Sequence, residues 1–152
     1  ECYNLKIAQG TLTTEDRFKI NDHIVQTIQM LNQLPYPKHL KSVPDIAGAH
    51  HERLDGKGYP RQLAAADIPL TARILTIADI FEALTAADRP YKKAKTLDDA
   101  LTIMQQMAQS GHIDPELFAL FLRTGIYLDY AQVYLPPEQQ DDVDVSQMVA
   151  AL

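Results

Sequence analysis

The stretch of this chain richest in reactive side chains reads His50-His51-Glu52-Arg53-Leu54-Asp55-Gly56-Lys57-Gly58-Tyr59-Pro60. Adjacent histidines at the end of a helix point about 100° apart. His50 and His51 are therefore expected to address two metals, or two sides of one cluster, more easily than to chelate one ion. Neutral imidazole suits Fe, Mn, Zn or Ni, so residue type alone does not choose the metal. His51-Glu52 also resembles the start of a zinc-protease helix, but Asp55 stands where that motif needs its second histidine, and Gly56 and Gly58 break the helix it requires.

Asp79 falls within the apolar stretch from Ile74 to Leu84, where a carboxylate is costly to bury unless paired or metal-bound. Its bland reading is an ion pair with Arg73. His23 lies beside the stripe of Ile20, Ile24 and Ile28, where a lone histidine is ordinarily a hydrogen-bonded boundary residue. Taken together, His23, His50, His51 and Asp79 offer imidazoles and a carboxylate from separate helices, which is how helical proteins assemble a metal site. His39 and His112 fit surface or capping roles.

The elements that must position these groups are helical throughout. Phe18, Ile20, Ile24, Val25, Ile28 and Leu31 are spaced for one buried face of a helix near residues 14 to 34. Thr13 or Thr14 can cap it, with Glu15 and Asp16 suited to its first turn, and Pro35 and Pro37 stop it. A second helix is expected from about Leu40 to Glu52, loosened by Pro44. Residues 55 to 70, with Gly56, Gly58, Pro60 and Pro69, read as a loop. A third helix, from about Leu70 to Ala87, would bury Ile74, Ile77, Ala78, Phe81 and Leu84. Thr96 opens a fourth, with Asp99 completing a short-armed capping box, an apolar face of Leu97, Ala100, Leu101, Met104 and Met107, and a stop at Ser110-Gly111. Asp114-Pro115 opens a long last helix with Leu117, Leu120 and Phe121 inside. The fold class is all-α, a bundle of five to six helices, with residues 136 to 152 read as an acidic linker or tail.

The 152 residues suit a single domain, and 46% hydrophobic with 22% charged content is ordinary globular material. No apolar run is long enough for a transmembrane helix and no signal peptide is evident. Cys2 is the single cysteine, so no intramolecular disulfide can form and the cytoplasm is the expected compartment. A net charge of −6 argues against duplex nucleic acid as a partner. Arg89, Lys92, Lys93 and Lys95 nevertheless crowd one short stretch. That patch suits a small anionic ligand better than a long polyanion, with a solvated loop as the bland alternative.

Residues His50 to Pro60 resemble the signature of the HD-GYP family, a branch of the HD phosphohydrolases. Ile68-Pro69-Leu70, Ala72-Arg73-Ile74, Ala78-Asp79, Ala83-Leu84-Thr85, Asp88-Arg89-Pro90-Tyr91 and Gly111-His112-Ile113-Asp114-Pro115 follow in the family's order. Thr11-Leu12-Thr13 and His23 resemble the stretch before the signature, so the likeness covers roughly residues 10 to 125. It implies hydrolysis of cyclic di-GMP or a related cyclic dinucleotide at two or three metals, often Fe or Mn, which polarise the phosphate and supply hydroxide as nucleophile. It implies His23, His50, His51 and Asp79 as metal ligands, with His50, His51 and Asp79 carrying the catalysis. Gly58, Tyr59 and Pro60 would form the loop near the substrate, and Arg89 with Lys92 or Lys93 would neutralise its phosphate. Glu52 and Asp55 would orient the histidines and the glycine loop.

The family's His-Asp pair lies upstream of these blocks, and this chain contains no His-Asp dipeptide; Asp22-His23 reverses the order. Glu82 stands where many relatives have Asp. The chain opens on Glu1 and reads as part of something longer. Residues 1 to 135 are then expected to be the C-terminal portion of an HD-GYP domain, inactive or weakly active until upstream helices complete the site. The alternatives are an inactive module that binds nucleotide or a partner protein in signalling, and a helical interaction domain. A homodimer or an upstream sensory domain is the expected protein partner.

Overall fold

A computed structural model describes residues 13–86 and 95–152, and these form seven α-helices without a strand among the described residues. They are α1 (Thr14–Asn32), α2 (Val43–Ala47), α3 (Leu70–Thr85), α4 (Leu97–Gln109), α5 (Pro115–Thr124), α6 (Ile126–Tyr134) and α7 (Val145–Ala150), with short 3₁₀ turns at Lys38–Leu40, Ala65–Asp67 and Pro137–Gln139. The all-α reading holds. No helix among the described residues is long and apolar enough to cross a membrane.

The helix starts follow side-chain chemistry written in the sequence. Thr13 accepts from the Asp16 amide while the Asp16 carboxylate accepts from the Thr13 amide, a reciprocal capping box that opens α1. Thr96 accepts from the Asp99 amide at the head of α4. Asp114 caps α5 through the amides of Glu116 and Leu117, with Pro115 at the first helical position. Gly111, with φ of 72°, turns the chain out of α4.

The main core lies where α3, α4, α5 and α6 meet, around Ile77, Phe81, Leu97, Leu101, Met104, Phe118, Leu122 and Tyr127. A smaller cluster of Ala49, Ile68 and Ala72, backed by Ile46, Leu54 and Leu63, sits under the glycine loop.

The covered faces depart from the expected ones in several places. Among the described side chains of α1 only Ile24 is fully covered; Ile28 and Leu31 are half-buried, and Phe18, Ile20 and Val25 are exposed. Among the described residues that helix packs chiefly on α2. On α3, Ile77 and Phe81 are buried but Ile74 and Ala78 face outward. On α5 the buried residues are Phe118, Ala119 and Leu122, with Leu117 and Phe121 packed at the margin and Leu120 exposed. The expected long last helix is broken at Gly125, whose φ of 71° ends α5 and restarts the chain as α6.

Residues 136–152 are more than a solvated tail. Met148 of α7 enters the main core, and Gln139 is buried with its side-chain amide donating to the Thr85 and Lys95 carbonyls. Asp141 accepts from the Asp98 amide at the head of α4.

Candidate metal centre

The expected helix from Leu40 to Glu52 contracts to the five residues of α2. Pro44 lies in its first turn, and Gly48 caps it where a Cβ would meet Ile28 of α1 at 2.6 Å. His50 and His51 therefore lie in the turn beyond the helix, and their divergence by a helical angle does not apply. Their ring centroids stand 4.1 Å apart. One ligating atom from each of His50, His51 and Asp79 lies within 4.8 Å of the others, close enough to share one cation. His23 stands outside that trio but beside it, its ring edge-on to His51 with centroids 5.4 Å apart.

Each group is aimed by a neighbour. The His50 Nδ1–H donates to the Ala47 carbonyl at 2.7 Å, which leaves Nε2 as its free lone pair. His23 Nδ1 likewise meets the Ile20 carbonyl and frees its Nε2. Asp79 rides on α3, and Thr76, one turn earlier on that helix, donates its hydroxyl to the His50 carbonyl at 2.9 Å. The helix that carries the carboxylate thus also anchors the backbone of the histidine turn. Asp79 itself is exposed, which removes the burial cost expected for it. Arg73 does not pair with it: that guanidinium binds Asp114 at 3.0 Å and the carbonyls of Ile68 and Ala65.

The loop that follows is wound around Glu52. This carboxylate is 2% exposed and accepts from the amides of Arg61 at 2.7 Å and Leu63 at 3.0 Å. Gly58 lies against the Glu52 backbone, where a Cβ would come within 2.4 Å of the Glu52 Cα. Tyr59 then donates its amide to the His51 carbonyl at 3.2 Å and stacks its ring on the imidazole, centroids 4.8 Å apart and planes 25° from parallel. Asp55, gripped by Arg53 through two hydrogen bonds, accepts from the Lys57 amide. The Asp55 and Leu54 amides reach the carbonyls of Gly111 and His112, so the α4–α5 connection braces the loop from outside.

The electrostatics suit a cation. Burial, reinforced by the neighbouring His50, lowers the His51 pKa to about 4, while Asp79 opposes the shift. His51 is therefore neutral at neutral pH, with a lone pair available to a cation. Burial, with a contribution from Asp79, raises the Tyr59 phenol and keeps it protonated. Two imidazoles and a carboxylate within reach of one point fit a divalent transition metal.

A family model described as an HD domain matches residues 1–117. The chain belongs to the HD domain family. The HD-GYP likeness carried by His50 to Pro60 is in keeping with that membership. The chain is 44% identical over 111 residues, 72% of its length, to a 3'3'-cGAMP-specific phosphodiesterase of Vibrio cholerae. It is 51% identical over 85 residues, 55% of its length, to a cyclic di-GMP phosphodiesterase response regulator of Xanthomonas campestris. Over 133 residues, 87% of its length, it is 33% identical to a cyclic di-GMP phosphodiesterase of Thermotoga maritima. The chain spans 23%, 22% and 34% of those relatives' own lengths.

Of the residues singled out in this HD domain, His50, His51 and Asp79 come together, His23 stands alongside, and Gly58, Tyr59 and Pro60 line the adjoining loop. Arg89, Lys92 and Lys93 lie outside the described residues. Glu52 orients the loop rather than the histidines. Thr76 is not among the residues expected from the sequence, and Gly111, expected as a helix stop, also braces the loop through its carbonyl. The signal for Thr76 was a hydroxyl on the buried face of α3, three residues before Asp79.

Proposed function

We propose that this chain is the metal-binding and substrate-recognising portion of a cytoplasmic cyclic-dinucleotide phosphodiesterase, with cyclic di-GMP as its first substrate and a related cyclic dinucleotide as the alternative. The observation that carries the reading is the convergence of His50, His51 and Asp79 to within 4.8 Å, in a member of the HD domain family. The names of the relatives, which are phosphodiesterases for cyclic dinucleotides, support the choice of substrate.

Bound at this cluster, iron or manganese, two or three ions in the complete domain, supplies Lewis-acid polarisation of the phosphodiester and activation of the attacking water. His50, His51 and Asp79 hold that charge in place, and His23 extends the cluster from α1. Gly58 to Pro60 form the wall beside which the dinucleotide lies. Arg89 and Lys92 or Lys93, by their resemblance to the family's phosphate-binding block, neutralise the substrate. Glu52 keeps the loop closed while substrate enters and leaves.

The test is turnover. Full-length protein stripped by a chelator and reloaded anaerobically with Fe or Mn should linearise cyclic di-GMP, and His50→Ala or Asp79→Ala should abolish this with the helical content retained. Undiminished turnover in both variants would overturn the site. Arg89→Ala should raise KM more than it alters metal content.

A further inference from the structure

Among the described residues, three aromatic rings lie against the His51 imidazole: His50, His23 and Tyr59. Two of them belong to candidate ligands, and Tyr59 does not. Its ring lies nearly parallel to the imidazole, and its amide is bonded to the His51 carbonyl, so the two residues are joined through both backbone and side chain. The loop that delivers Tyr59 is itself pegged. Glu52 binds the Arg61 and Leu63 amides just beyond it, and Gly58 just before it fits against the Glu52 backbone where no Cβ could.

We infer that Tyr59 is a positioning residue for His51: its ring fixes the plane of that imidazole and keeps water from one face, so that the lone pair is held toward Asp79 before any cation arrives. This rests on the metal-site reading above and adds to it a non-ligating residue that sets the strength of the site. An imidazole free to rotate about its side-chain bonds must be ordered when the cation binds, and that ordering entropy opposes binding. A ring that already holds it removes part of this cost, as the outer partners of metal-bound histidines do elsewhere. The planar face does this work, so phenylalanine should substitute and an aliphatic chain should not.

The experiment is a competition titration of Mn²⁺ against a chromophoric chelator, on wild type, Tyr59→Phe and Tyr59→Leu, with the metal-free proteins followed in parallel by NMR of the histidine ring protons. Leucine retains bulk, so a folded variant is expected, and thermal melts verify it. Tyr59→Leu should weaken Mn²⁺ binding by about ten-fold or more, and the His51 ring protons should lose the upfield shift that a stacked aromatic ring imposes. Tyr59→Phe should match wild type in both readouts. Equal Mn²⁺ affinity in wild type and Tyr59→Leu would overturn the inference and leave the metal site standing. So would a Tyr59→Phe variant as weak as Tyr59→Leu, since the hydroxyl would then be responsible. Absence of Mn²⁺ binding by the wild type would overturn both readings.

Discussion

At the scale of single residues, the surroundings of His51 keep its imidazole neutral. His51 has a pKa near 4 in the folded chain because burial and the adjacent His50 disfavour its charged form, against 6.5 for the unperturbed side chain. Between those values the unfolded chain takes up a proton that the folded chain refuses. The contribution of His51 to stability is therefore fully present above about pH 6.5 and is eroded as the pH falls toward 4. Denaturant melts of chelator-treated protein should show stability declining across this window, and His51→Gln should make the decline shallower. His112, whose pKa burial also lowers, leaves a residual slope in the variant. A slope identical in wild type and variant would mean that His51 does not titrate as its surroundings require. Residue types alone were enough to nominate His23, His50, His51 and Asp79. They could not show that His50 and His51 converge, because that follows from a turn: Pro44 and Gly48 confine α2 to five residues and leave the histidines outside helical geometry.

At the scale of elements, caps were legible and faces were only partly so. Thr13, Thr96, Asp114 and Gly111 act locally, through side chains and dihedral angles that depend on a few neighbouring residues, and they stand where the sequence indicates. A buried face depends on what packs against it. α1 has a full set of apolar residues but one principal neighbour among the described residues, so Phe18 is 72% exposed although the sequence predicts it on the same buried face as Ile24, which is 1% exposed. The segment after Pro136 hid its packing for a related reason: its acidic composition reads as solvated, while Met148 and Gln139 supply the contacts. Gln139 bridges the Thr85 and Lys95 carbonyls, the two ends of the connection between α3 and α4, although its own Oε1 has no partner among the described residues. Gln139→Leu preserves volume and orphans those carbonyls, and should cost about 1–3 kcal/mol in a urea melt. A variant as stable as wild type would show that the bridge contributes nothing.

At the scale of the molecule, the helices divide the labour. α3, α4, α5 and α6 form the core, and the histidine turn and glycine loop lie over a smaller cluster at its flank. α3 belongs to both, burying Ile77 and Phe81 inward while presenting Asp79 outward and holding the His50 carbonyl through Thr76. The exposed apolar residues of α1 and the outward Ile74 and Leu120 are the part of this surface that composition and periodicity misjudge, since both are blind to neighbours. The central claim is a cation shared by His50, His51 and Asp79. It is tested most directly by titrating Mn²⁺ into the stripped protein while recording the electron paramagnetic resonance signal of free Mn²⁺, for wild type, His50→Ala and Asp79→Ala. Wild type should bind stoichiometrically, and each variant should lose more than the roughly ten-fold to hundred-fold affinity that removal of an outer partner costs, with its metal-free melting curve little changed. Mn²⁺ bound with undiminished affinity after either substitution would contradict the claim.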